Sequence, residues 1–155
     1  MKKIIILIAL TIISCGKKED GKLTQDDIKI LKDKSINQGD KYSYSLLVAH
    51  YQNIGSYEML PYSFIIAKKH KNPDAFIEIY KDLIKLENNG KFKESLILNL
   101  SKEETSYVLS LLQRGAELDD IDCKVFLAHH YRDGLGLPKN QKIADSIMNT
   151  IDKND

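Results

Sequence analysis

Asp122-Cys123-Lys124-Val125-Phe126-Leu127-Ala128-His129-His130-Tyr131-Arg132-Asp133-Gly134-Leu135-Gly136-Leu137-Pro138-Lys139-Asn140-Gln141-Lys142-Ile143-Ala144 is the stretch that decides the fold of this chain. Leu127 and Tyr131 stand four apart and so share one helix face. Gly134 and Gly136 admit positive φ and let two helices approach closely. Asn140 is placed to accept a hydrogen bond from an otherwise unpaired amide at the start of the next helix, which carries Ala144. The stretch predicts two helices joined by a turn built for packing.

Upstream, apolar residues recur at helical spacing and alternating strand-like runs are scarce. Thr24 caps a first helix with Ile28 and Leu31 on one face. Tyr44, Leu47, Val48 and Tyr51 make the i, i+3, i+4, i+7 face of a second, which Gly55 terminates. Pro61 suits the first turn of a third helix, with Phe64, Ile65, Ala67 and His70 following. Asn72 as cap and Pro73 in the first turn open a fourth, with Phe76, Ile79, Tyr80 and Leu83 inward and Asn88-Asn89-Gly90 as its stop. Leu96-Ile97-Leu98-Asn99-Leu100 is apolar but lacks a helical period, and is expected to be a packed connector. Ser101 and Glu104 form a capping-box signature for a fifth helix burying Val108, Leu111 and Leu112 and ending near Gly115. The sixth carries Cys123, Phe126, Leu127, His130 and Tyr131, and the seventh Ile143, Ala144, Ile147, Met148 and Ile151. Consecutive short helices of this kind bury their faces only against their neighbours, which implies a stack.

The segment 118–151 resembles a Sel1-like repeat, a variant of the tetratricopeptide helix pair. In that family a Leu and a Tyr four apart close the first helix, Gly-x-Gly-aliphatic makes the turn, and Lys-Asp or Lys-Asn opens a second helix that carries an Ala. Leu127, Tyr131, Gly134, Gly136, Leu137, Lys139, Asn140 and Ala144 occupy those places. Leu47-Val48-Ala49-His50-Tyr51-Gln52-Asn53 echoes Leu127 to Asp133, and Phe76 to Tyr80 repeats the four-residue spacing, although neither upstream copy has the glycine turn. Ile147 stands where the family usually has an aromatic residue. The resemblance implies an all-α fold, a short α-solenoid of antiparallel helix pairs over residues 23–155.

Met1-Lys2-Lys3 is a basic start and Ile4 to Ile13 an almost unbroken apolar run, shorter than the roughly 20 residues a membrane-spanning helix needs. With Ile12-Ile13-Ser14-Cys15 it resembles a lipoprotein signal peptide ending in a lipobox. Residues 1–14 are thus expected to be cleaved, Cys15 to be lipidated, and residues 15–22, polar and bracketed by Gly16 and Gly21, to form a flexible stalk. Such a chain would be tethered by lipid in the cell envelope. Gly16 follows the cysteine where a familiar inner-membrane retention signal has Asp, which points to the outer membrane.

Removing Lys2 and Lys3 leaves 21 of the 23 basic residues against 22 acidic ones, so there is no basic footprint for nucleic acid. Only Cys123 remains beside the lipidated Cys15, and a lone cysteine in a helical pattern is read as a small buried residue. His129 and His130 are adjacent and point about 100 degrees apart on a helix, which does not suit chelation. Gly134-Leu135-Gly136 lacks the third glycine and the preceding strand of a dinucleotide site. Asp26-Asp27, Glu103-Glu104 and Asp119-Asp120 fall at helix starts, where carboxylates complement the helix dipole.

No metal, cofactor or catalytic set is therefore expected. The expected function is a non-enzymatic module that holds a protein or peptide partner, with Tyr42, Tyr57 and Tyr107 as candidate contact residues because exposed tyrosine is a common interface anchor. An immunity protein sequestering an envelope-targeted toxin is one form of it. A structural lipoprotein of an envelope complex is the alternative, and a cell-wall hydrolase would need a pocket nucleophile or carboxylate that the sequence does not offer.

Overall fold

The computed structural model describes residues 23–151; the expected signal peptide and lipobox, Cys15, the expected stalk and residues 152–155 lie outside it. The described residues are helical, with no strand among them. Among the described residues seven α-helices follow one another: α1 Gln25–Asp33, α2 Lys41–Asn53, α3 Leu60–His70, α4 Pro73–Glu87, α5 Lys102–Glu117, α6 Ile121–Asp133 and α7 Gln141–Ile151. None is long and apolar enough to cross a membrane.

Local chemistry sets most of the boundaries. Thr24 and Asp27, like Ser101 and Glu104, exchange side-chain and backbone hydrogen bonds as reciprocal caps of α1 and α5. The side chains of Asp40, Asn72 and Asp120 accept from first-turn amides of α2, α4 and α6. Asn140 Oδ1 accepts from the Ile143 amide at 3.1 Å and opens α7. α6 ends on Gly134 at φ 73°, and the Leu135 amide donates back to the His130 carbonyl at 3.1 Å, satisfying a helix-end acceptor.

The core runs through the stack without a break. Tyr44 and Leu47 of α2, Ile66 of α3, Ile79, Tyr80 and Ile84 of α4, Val108 and Leu112 of α5 and Cys123 of α6 are all almost fully buried. α3 packs on α4, α4 on α5, α5 on α6 and α6 on α7, and α4 also reaches α6. Tyr80 is the aromatic centre, edge-on to Phe92 at 5.9 Å, Phe126 at 5.6 Å and His130 at 5.8 Å between ring centroids.

Four details add to or depart from the pattern of the sequence. α1, for which no end was read from the sequence, continues into a π-helical turn, Lys34–Gln38, closed by Gly39. The apolar connector is a 3₁₀ helix, Glu94–Asn99, that buries Ile97 and leaves Leu98 exposed. α5 ends at Glu117, near Gly115 as expected, but Gly115 itself is a buried contact point for α6, where an added Cβ would lie 2.9 Å from Cys123 Cβ and still nearer to its Sγ. Finally, only Ala144 of the five expected inward residues of α7 is fully buried, while Ile143 and Met148 are exposed, because no further described helix covers the outer side of α7.

Candidate functional site

An open groove of about 650 Å³ is formed by α3, α4 and α5. Each wall is a helical stripe. Phe64, Lys68 and Lys71 follow at i, i+4 and i+7 along α3 and just past its end, with Ala67 between them. Tyr107, Leu111, Arg114 and Leu118 follow at i, i+4, i+7 and i+11 along α5, with Glu117 beside Arg114. Phe76 and Ile79, at i and i+3 on the first turns of α4, make the floor and are buried. The C-terminal halves of both α3 and α5 thus meet the N-terminal half of α4, so the two walls run in the same direction.

This layout follows from the chain's local chemistry. Asn72 precedes Pro73 and is held in extended backbone, which ends α3 and places Lys71 in the left-handed region at φ 50°. The basic run at the end of α3 is thereby divided: Lys68 and Lys71 line the groove, while Lys69 Nζ and His70 Nε2–H donate to the Ile36 carbonyl at 3.1 and 2.8 Å. Lys68, Lys71 and Arg114 are exposed and form no ion pair among the described residues, whereas Lys81, Lys85 and Lys124 are paired with Glu78, Asp82 and Asp119. The groove therefore has an apolar floor, an aromatic end at Phe64 and Tyr107, and a basic end at Lys68, Lys71 and Arg114 with one acid, Glu117.

The three candidate tyrosines are not gathered into one surface. Tyr107 is half-exposed and lines this groove. Tyr57 lines a smaller polar cavity of about 390 Å³ between α2 and α4 with Gln52, Ser56, Lys81, Asp82 and Lys85. Burial there pushes the Asp82 carboxyl up, while Lys85, 3.0 Å away, opposes the shift. Tyr42 is the most exposed of the three and lies outside both cavities. What sequence reasoning missed is the basic end of the groove. The i, i+4, i+7 spacing of Phe64, Lys68 and Lys71 is visible in the sequence, but its apposition to Arg114 is not.

The residues singled out for the turn are brought together. Gly134 and Gly136 both sit at φ 73°, Asn140 caps α7, Ala144 is buried, and the Asn140 amide donates to the Tyr131 carbonyl at 2.7 Å. Leu127 and Tyr131 are half-buried rather than fully buried. The paired histidines go to separate partners. His129 Nδ1 faces the Glu94 carboxylate at 3.1 Å. His130 is fully buried, and since a carbonyl only accepts, its Nδ1–H donates to Leu135 at 2.6 Å, leaving Nε2 to accept from the Tyr80 hydroxyl at 2.8 Å. Burial lowers the pKa of His130 and raises that of Cys123, so both are held neutral. These groups fix the packing of α4 on α6.

Compared with family models, curated proteins and solved structures, the chain matches none.

Proposed function

We propose that this chain is a lipid-anchored, non-catalytic protein-binding module of the cell envelope, tethered through Cys15, whose successive helices α3 to α7 stack as Sel1-like or tetratricopeptide-like repeats, with α4/α5 and α6/α7 as packed pairs. The observation that carries the reading is the groove between α3 and α5, with an apolar floor, an aromatic end and unpaired cations on its rim. Mainly apolar concavities with a few convergent polar groups are where ligands and partner segments bury surface. Helical stacks present such grooves between alternate helices, and a smaller cavity lined by Ala116, Leu127 and Ile147 lies between α5 and α7. An immunity role, sequestering an envelope-targeted toxin, is one form of this function. The exposed Ile143 and Met148 of α7 favour a second form, in which another helical element stacks there within an envelope assembly.

The test is photo-crosslinking in cells that express the full chain, with a photoreactive residue at Tyr107, Tyr57 or Tyr42. One discrete protein adduct at Tyr107, absent when the reactive residue is moved to the exposed Ile30, is expected. No adduct at any of the three tyrosines would overturn the binding-module reading.

A further inference from the structure

We infer that the groove between α3 and α5 takes an amphipathic protein segment whose apolar side chains seat at the Phe64 and Tyr107 end and whose carboxylates seat at the Lys68, Lys71 and Arg114 end, an inference that rests on the binding-module reading above. Charge complementarity is the ground for it. Three cations from two helices converge on one end of the groove, all exposed, and none is neutralised by a neighbour among the described residues. Among the less exposed lysines, Lys81, Lys85 and Lys124 each hold a carboxylate, while Lys32 lies over the Tyr51 and Tyr62 rings. Leaving the groove cations unpaired beside buried Phe76 and Ile79 produces a positive rim over a low-dielectric floor, where an incoming carboxylate interacts more strongly than it would in open water.

The spacing sets the length of the occupant. Phe64 to Lys71 and Tyr107 to Arg114 each span seven residues, about 10 Å along the groove at 1.5 Å per residue. A matching helical segment carries its apolar pair at i and i+3 or i+4 and its acids at about i+7 and i+8, one near each wall. A fatty carboxylate has a single anionic group and matches one cation. A segment with two or more acids matches the convergence of three. Glu117 beside Arg114 adds a local preference, since it repels a carboxylate at the extreme end of α5 and leaves Lys68 and Lys71 as the stronger seats. The same cations also complement the C-terminal dipoles of α3 and α5, a purely structural role that the test separates by its stability measurement.

The experiment selects peptides from a random 16-residue display library on the purified full chain, with dodecanoate as competitor. The enriched peptides are expected to carry apolar residues followed about two turns later by acids. The triple variant Lys68→Glu, Lys71→Glu, Arg114→Glu should bind them at least about tenfold more weakly, with the difference shrinking at high salt, because exposed charges contribute modestly each and are screened. Its thermal midpoint should stay close to the parent's, and Lys68→Gln, Lys71→Gln, Arg114→Gln serves if charge reversal unfolds the chain. Enriched peptides without acids, or equal binding by the neutral variant, would overturn the partner class while leaving a binding module. Dodecanoate binding that the variant loses, with peptides unaffected, would assign the rim to a lipid and overturn it too. The failure of the module itself is read separately, in the absence of crosslinks in cells.

Discussion

Replacing Gly115 by alanine sets two effects of opposite sign against each other. Gly115 lies inside α5, so helix propensity alone predicts that alanine stabilises by about 0.8–1 kcal/mol. The packing predicts the reverse. The new methyl group would stand 2.9 Å from Cys123 Cβ, closer to its Sγ, and 3.4 Å from Phe76 Cβ. The Sγ can rotate, but Cβ is fixed to the α6 backbone, so relief requires α5 and α6 to separate. Overpacking of this kind costs about 1–3 kcal/mol, occasionally more, and backbone displacement belongs at the upper end. The net expectation is a loss of about 2 kcal/mol, which lowers the thermal midpoint by roughly 5–10 °C in a domain of this size. Urea unfolding followed by far-ultraviolet circular dichroism measures it. Cys123→Ala removes the Sγ and costs about 1 kcal/mol on its own, so the double variant should show a favourable coupling of about 1 kcal/mol. A Gly115→Ala midpoint at or above the parent's would refute the close α5–α6 contact and restore Gly115 as an ordinary helix-end glycine.

The two turn glycines should differ in the same assay. Gly136→Ala combines positive-φ strain with a methyl 2.6 Å from Thr105 Cγ2 and 3.1 Å from Leu109 Cδ1, and should cost about 2 kcal/mol or more, whereas Gly134→Ala meets nothing nearer than Lys139 Cβ at 3.4 Å and should cost about 1 kcal/mol. Reversal of that order would remove the role of the α6–α7 turn in packing against Thr105 and Leu109 of α5. Burial depresses the pKa of His130 below the 6.5 of the unfolded chain, so the unfolded state binds more protons as the medium acidifies. This contribution to stability is therefore complete above the unfolded pKa and is lost as pH falls below it; urea midpoints at about pH 7.5 and 5.5 should drop for the parent and drop less for His130→Gln. Cys15→Ala should abolish incorporation of a fatty-acid analogue in metabolic labelling, and labelling equal to the parent would refute lipidation at that cysteine.

Most helices were legible because their signals are local. Thr24, Asn72, Pro73, Ser101 with Glu104, and Asn140 act on amides within a few residues, so caps can be read without knowing the fold. The positive φ of Gly134 and Gly136 was legible for the same reason. The end of α5 near Gly115 was legible, but the packing role of Gly115 was not, because a glycine near the end of a periodic run has the same local signature whether or not it makes room for Cys123, eight residues further on and across an interhelical contact. The π-turn at Lys34–Gln38 was missed because its partners come from afar: the carbonyl of Ile36 faces Lys69 and His70 of α3.

The candidate site divides in the same way. Sequence by itself determined that the chain is helical, that its helices are short and amphipathic, and that Phe64, Lys68 and Lys71 fall on one stripe and Tyr107, Leu111 and Arg114 on another. Periodicity is a property of each helix alone. Which stripes face each other was decided only by tertiary packing, which set α3 and α5 on either side of α4 and brought Lys71 and Arg114 to one end of a groove. The same packing separated Tyr107 from Tyr57 and Tyr42, which sequence reasoning had grouped by their exposure. The physical reason is that helix formation depends on interactions three or four residues apart, whereas a binding groove is the space left between helices, and depends on how α3, α4 and α5 bury their other faces.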